Sequence, residues 1–142
     1  MINIKSKDEN SYIKLELLET ELINFPSFLI NCSIKNGNYM AIDKIWIELP
    51  EYNIFFEAFK TLNKKREGIA SITSMSPEEL NITIKTLETN GPFQLHFNMS
   101  KVTYNPNLIK LSLSGGFELD SEFINTYENE LLDFNKKIIE KF

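Results

Sequence analysis

A chain of 142 residues, 42% hydrophobic and 25% charged, is long enough to bury one substantial core, and a single domain over 1–142 is expected. Its 11 Phe, 5 Tyr and 1 Trp exclude a disordered chain. A net charge of −5 with a lone arginine, Arg66, argues against nucleic acid as a partner, because a phosphate-binding surface concentrates Lys and Arg on one face.

The first residues, MINIKSKDEN, carry no apolar signal segment, and no apolar run is long enough to span a bilayer. A cytoplasmic protein without membrane contact is therefore expected. Short strands are predicted over Ile2–Lys5 and Tyr12–Glu19. Phe28, Ile30, Cys32 and Ile34 then share one face, with Asn31, Ser33 and Lys35 opposite. Asn36-Gly37 follows, a dipeptide that accepts the positive φ values of a tight hairpin turn. The next strand runs towards Leu49, with Ile45 and Ile47 on one side and Lys44, Trp46 and Glu48 on the other.

Period then switches. Tyr52, Phe55, Phe56, Phe59 and Leu62 recur at helical spacing and predict an amphipathic helix over Glu51–Lys65, with Gly68 as its stop. Lys64, Lys65 and Arg66 suit the negative end of that helix dipole. Alternation returns at Ile69–Ser74, at Leu80, Ile82 and Ile84, and at Phe93, Leu95, Phe97 and Met99. Ser76–Leu80 reads as one helical turn or a loop. Ile109, Leu111, Leu113, Phe117 and Leu119 form the last apolar strand face, with Gly115-Gly116 reading as a bulge or sharp bend. Phe123, Tyr127, Leu131, Phe134 and Ile138 predict a final helix from Ser121 to about Lys141, capped by Asp120 or Ser121. The expected fold is α+β: a bent antiparallel sheet of about eight strands with two amphipathic helices on its apolar side.

The two strand-to-helix junctions echo one another. Ile47-Glu48-Leu49 resembles Phe117-Glu118-Leu119, and Leu62-Asn63-Lys64-Lys65 resembles Phe134-Asn135-Lys136-Lys137, with a two-residue drift between them. Internal duplication would produce this, and so would two independent units sharing one turn chemistry; the second reading is favoured.

Catalytic patterns are missing. His96 is the single histidine and sits mid-strand beside Gln94 and Asn98, away from any nucleophile, so it is expected to be dispensable. Cys32 is alone, so neither an intramolecular disulfide nor a Cys-rich zinc site can form, and its apolar face marks it as a buried small hydrophobe. No metal-ligand set and no cofactor loop occurs, so neither metal nor cofactor is expected. The carboxylates from Glu118 to Asp133 read as a solvated face. Trp46 is the informative residue. A Trp on the polar side of a strand is either covered by another element or exposed as a binding anchor. Trp46, Glu48 and Glu118 are the candidate partner-binding residues.

The segments SFLINCSIKNGNYMA, IWIELPEYNIFFEAFKTL, SMSPEELNITIKTLETNGPFQLHF and SLSGGFELDSEFINTYENELLDF cover most of Ser27 to Phe134. Their order and pattern resemble the WapI-like immunity proteins of bacterial toxin systems. The resemblance implies a small cytoplasmic protein that binds and neutralises a cognate toxin domain without catalysis of its own. An acidic inhibitor suits a basic target, since complementary fields steer association. Two other readings stay open: a small-molecule-binding protein or enzyme using the polar sheet face, and a homodimeric scaffold.

Overall fold

The computed structural model describes residues 1–86, 88–104 and 106–141. The elements run β1 (Ile2–Lys5), β2 (Ser11–Glu21), β3 (Ser27–Asn36), β4 (Tyr39–Glu48), α1 (Leu49–Lys65), β5 (Ile69–Thr73), β6 (Leu80–Thr86), β7 (Phe93–Thr103), β8 (Ile109–Leu119), a 3-10 turn (Ser121–Phe123) and α2 (Ile124–Glu140). The protein is α+β. Its strands form two four-stranded antiparallel meanders, β1-β2-β3-β4 and β5-β6-β7-β8, in sequence order.

Each meander ends in a helix, and the two sheets meet at two seams. At one, Ser6 bridges Leu119, and the Lys7 N–H donates to the Glu118 carbonyl at 2.9 Å. At the other, the Met75 N–H donates to the Trp46 carbonyl at 2.8 Å. These are the same contact made twice. Ser6 and Ser74 each end the first strand of a meander with their hydroxyl accepting an N–H from the next strand, from Ser11 and from Leu80, both at 2.9 Å. The first strand of each half thus leans on the fourth strand of the other.

That equivalence removes the drift in the sequence echo. Trp46 is as far from Glu118 along the chain as Leu62 is from Phe134, Tyr52 from Ile124, and Phe55 from Tyr127. All eight helix members of those last pairs and of Phe59 with Leu131 are buried. The true counterpart of Glu118 is therefore Trp46, and that of Glu48 is Asp120.

The apolar faces of both sheets and both helices share one core. Tyr52 is its hub. Its ring stands edge-on to Phe28 at 5.5 Å and lies 5.5 Å from Phe134, and its hydroxyl donates to the Leu131 carbonyl at 2.6 Å. A buried phenol keeps such a partner because an unpaired hydroxyl in the core is costly.

Several local expectations are corrected. Helix α1 starts at Leu49, before Glu51, with Pro50 in its first turn and no side-chain cap from Glu48. Asp120 does cap, accepting from the Glu122 N–H at 3.0 Å, but it opens a 3-10 turn. That turn swings Phe123 outwards to 50% exposure, and Ile124 takes the core place instead. Arg66, with φ of 56°, adopts the left-handed helix stop ahead of Gly68. Of the two readings of Ser76–Leu80 the loop holds: a bend at Ser76 leads into a turn over Pro77–Glu79, and Leu80 already begins β6. Pairing of β7 with β8 is unbroken from Phe93↔Leu119 to Thr103↔Ile109, so Gly115-Gly116 is no bulge. The glycines answer a close approach: a Cβ on Gly116 would lie 2.5 Å from the Leu95 carbonyl oxygen, and one on Gly115 would strike the Asn36 side chain. Finally, Ile109 and Leu111 point to the apolar side yet stand 51% and 66% exposed, because the first half of β8 runs past the end of the core.

Candidate functional site

Three chain segments converge at the β4–β5 seam. The Leu49 N–H donates to the Pro26 carbonyl at 2.8 Å, which ties the β2–β3 connection to the end of β4. Glu48 pairs with Ser27 and Trp46 with Leu29 across the same strands. From the other sheet, the bond from Met75 to Trp46 brings in the β5–β6 turn. Between these segments lies an open depression of about 520 Å³ lined by Glu21, Phe25, Ser27, Trp46, Glu48 and Met75.

Its floor is apolar and its rim acidic. Trp46 is half-buried, partly covered by the neighbouring turn, while Phe25 is 76% exposed. Ile23, on the same connection, is 88% exposed. Glu21 and Glu48 are both exposed, and Glu21 accepts the Ile23 N–H at 3.0 Å, which fixes the turn that presents Phe25. Trp46 and Glu48 therefore do come together, as the sequence suggested.

Glu118 does not join them. It belongs to the other seam and lines a separate shallow depression of about 290 Å³ with Gln94, His96, Gly116 and Phe117. Glu48 and Glu118, the acids of the two echoing junctions, therefore lie at different seams, one beside the Trp46–Met75 bond and the other accepting from Lys7. His96 is exposed there and its Nε2 lies 3.2 Å from Gln94 Oε1. Its cross-strand neighbours are Thr83 on β6 and Gly116 on β8.

Phe25, Ile23 and Met75 were missed by sequence pattern because none lies on a periodic face. The available signal was Ile-Asn-Phe-Pro between two strands: a turn spending two large apolar residues where polar ones are usual.

Cys32 is fully buried, and burial, with Asp43 opposite on β4, pushes its thiol up to about 12. It is thus an unreactive core residue. Among the described residues there is no group of three or more His, Cys, Asp or Glu side chains able to hold a metal ion, and no helix is long and apolar enough to cross a membrane. A small polar cleft of about 220 Å³ lies between β1 and α2, where Glu130 accepts the Asn3 N–H at 3.3 Å and desolvation raises its carboxyl above the usual range. Glu130 is partnered by backbone there, as a carboxylate holding a strand to a helix. Compared with protein-family models, curated proteins and solved structures, the chain matches none.

Proposed function

We propose that this chain is a non-catalytic protein-binding module that neutralises a toxin domain, acting in the cytoplasm through the face built on Trp46. The observation that carries the reading is an apolar floor of exposed Phe25 and Met75 and half-buried Trp46, rimmed by Glu21 and Glu48. Aromatic anchors surrounded by charge are the usual makeup of an interface hot spot. A net charge of −5 suits a basic target. The pattern resemblance to WapI-like immunity proteins points the same way.

Binding kinetics with the purified toxin domain encoded beside this chain provide the test. Trp46→Ala or Phe25→Ala should speed dissociation, by about 2 kcal/mol or roughly thirtyfold for a desolvated anchor. Glu48→Lys should slow association, and added salt should weaken the wild-type complex, since rim charges act on encounter. Glu118→Lys, at the other seam, should change neither rate. Equal effects from Glu48→Lys and Glu118→Lys would move the interface away from the Trp46 face. Failure of a folded wild-type chain to bind or protect against that toxin would overturn the function.

A further inference from the structure

The first half of β8 is a free sheet edge with an unusual pattern. The Glu118 carbonyl points away from β7, because it accepts from Lys7. Gly116 points the same way, since its N–H donates to Asn36 Oδ1 at 3.2 Å and its carbonyl accepts from Asn36 Nδ2 at 3.3 Å. Antiparallel alternation with unbroken register then sends the N–H and C=O groups of Ser114, Ser112 and Lys110 outward too. Among the described residues no hydrogen bond reaches these outward groups. The strand is thus capped at one end and open along three alternate residues.

The corresponding edge of β4 is protected. There the Trp46 carbonyl is taken by Met75, and the Lys44 N–H is taken by Asp43 Oδ1 at 2.8 Å. Asp43 also meets Lys101 at 3.4 Å, so charge crowds that edge. Inward charges and edge lysines are the ordinary means of blocking strand addition. On β8 the charge in the open stretch is Lys110, near its beginning.

We propose that this edge pairs with the same edge of a second copy, antiparallel about Ser112, joining two four-stranded sheets into one. The open groups are self-complementary. Ser112 faces Ser112 of the other copy, and Lys110 faces Ser114 at both flanks. Each of these pairs exchanges two N–H to C=O bonds, which leaves none of the open groups unmatched. Leu111 of one copy falls opposite Leu113 of the other in the closer, non-hydrogen-bonded pair. That contact covers the 66%-exposed Leu111, and no like charges stand opposite one another. The inference is independent of the toxin-binding face, which lies at the β4–β5 seam.

Sedimentation velocity of the wild-type chain over a range of concentrations tests it. The expected species is a dimer of twice the chain mass, dissociating on dilution. Ser112→Pro removes an outward N–H, a change an edge strand tolerates, and should leave a monomer with an unchanged circular dichroism spectrum. Should that variant not fold, Leu111→Asp on the exposed flank should give the same monomer. Ser112→Cys should form a disulfide-linked dimer under mild oxidation, while Glu57→Cys on the exposed side of α1 should not. A wild type that is monomeric at every concentration overturns the proposal. So does a dimer that survives both Ser112→Pro and Leu111→Asp, or one that cross-links equally well through Glu57→Cys.

Discussion

Asn36 and Gly115 are expected to be strongly coupled, although they lie far apart in sequence. The Asn36 amide makes three bonds: Nδ2 donates to Ser11 Oγ at 3.1 Å and to the Gly116 carbonyl at 3.3 Å, and Oδ1 accepts the Gly116 N–H at 3.2 Å. At a net ~0.5–1.5 kcal/mol for each, Asn36→Ala should cost about 2–3 kcal/mol. Gly115→Ala places a methyl against the Asn36 amide itself, with Phe97 Cζ at 3.3 Å as a second, milder neighbour. The amide has to leave, so this change forfeits the same bonds and should cost a similar amount. The double variant has no amide left to displace. It should be no less stable than Asn36→Ala alone, giving a coupling of about 2 kcal/mol against additivity. Urea unfolding with a common m-value measures all four corners of the cycle. Additive costs, or a Gly115→Ala variant as stable as the wild type, would refute the role given to the glycine.

Phe59→Ala, at a fully buried position of α1, should lose about 3–5 kcal/mol in the same assay. Tyr52→Phe keeps the ring contacts and removes the bond to the Leu131 carbonyl, so about 1–2 kcal/mol is expected. Desolvation raises the folded-state pKa of Glu130, so folding favours its protonated form. Its stabilising contribution is fullest below the ordinary glutamate range and is lost as pH rises through the raised value. Glu130→Gln should therefore gain on the wild type as pH rises above the ordinary glutamate range, read as a widening difference in urea midpoints. His96→Ala should leave both the unfolding midpoint and toxin neutralisation unchanged, a combination checked by urea melts and growth protection.

Helical period proved the most legible signal. The stripe of Tyr52, Phe55, Phe56, Phe59 and Leu62 is buried in full, because residues that recur at that spacing must all face one side. Strand period was less sufficient. It put Ile109 and Leu111 on the correct side of β8, but alternation reports a direction and says nothing of whether another layer extends that far. Phe123 failed for a related reason: one 3-10 turn before α2 rotates the stripe by a residue. No local pattern reveals the causes of Gly115-Gly116, which are the Asn36 side chain on β3 for the first and the Leu95 carbonyl on β7 for the second. Only part of the candidate site was visible in the sequence. Trp46 and Glu48 announced themselves by sitting on the polar side of a strand. Phe25 and Met75 sit in turns, and only the seam between the two sheets brings them to Trp46.

The doubled topology also makes the order of the chain closed in principle. Helix α1 passes into β5 through a short link, and α2 packs against β1 as α1 packs against β5. Met1 lies beside Lys137 and Lys141, so the start of β1 and the last turn of α2 are neighbours. A chain cut between Arg66 and Ile69, with α2 instead spliced to β1 by a few flexible residues, would present the same two meanders in exchanged order. Both seams, the Tyr52 hub and the Trp46 depression would survive that circular permutation, because each depends on how the halves embrace and none on which half comes first.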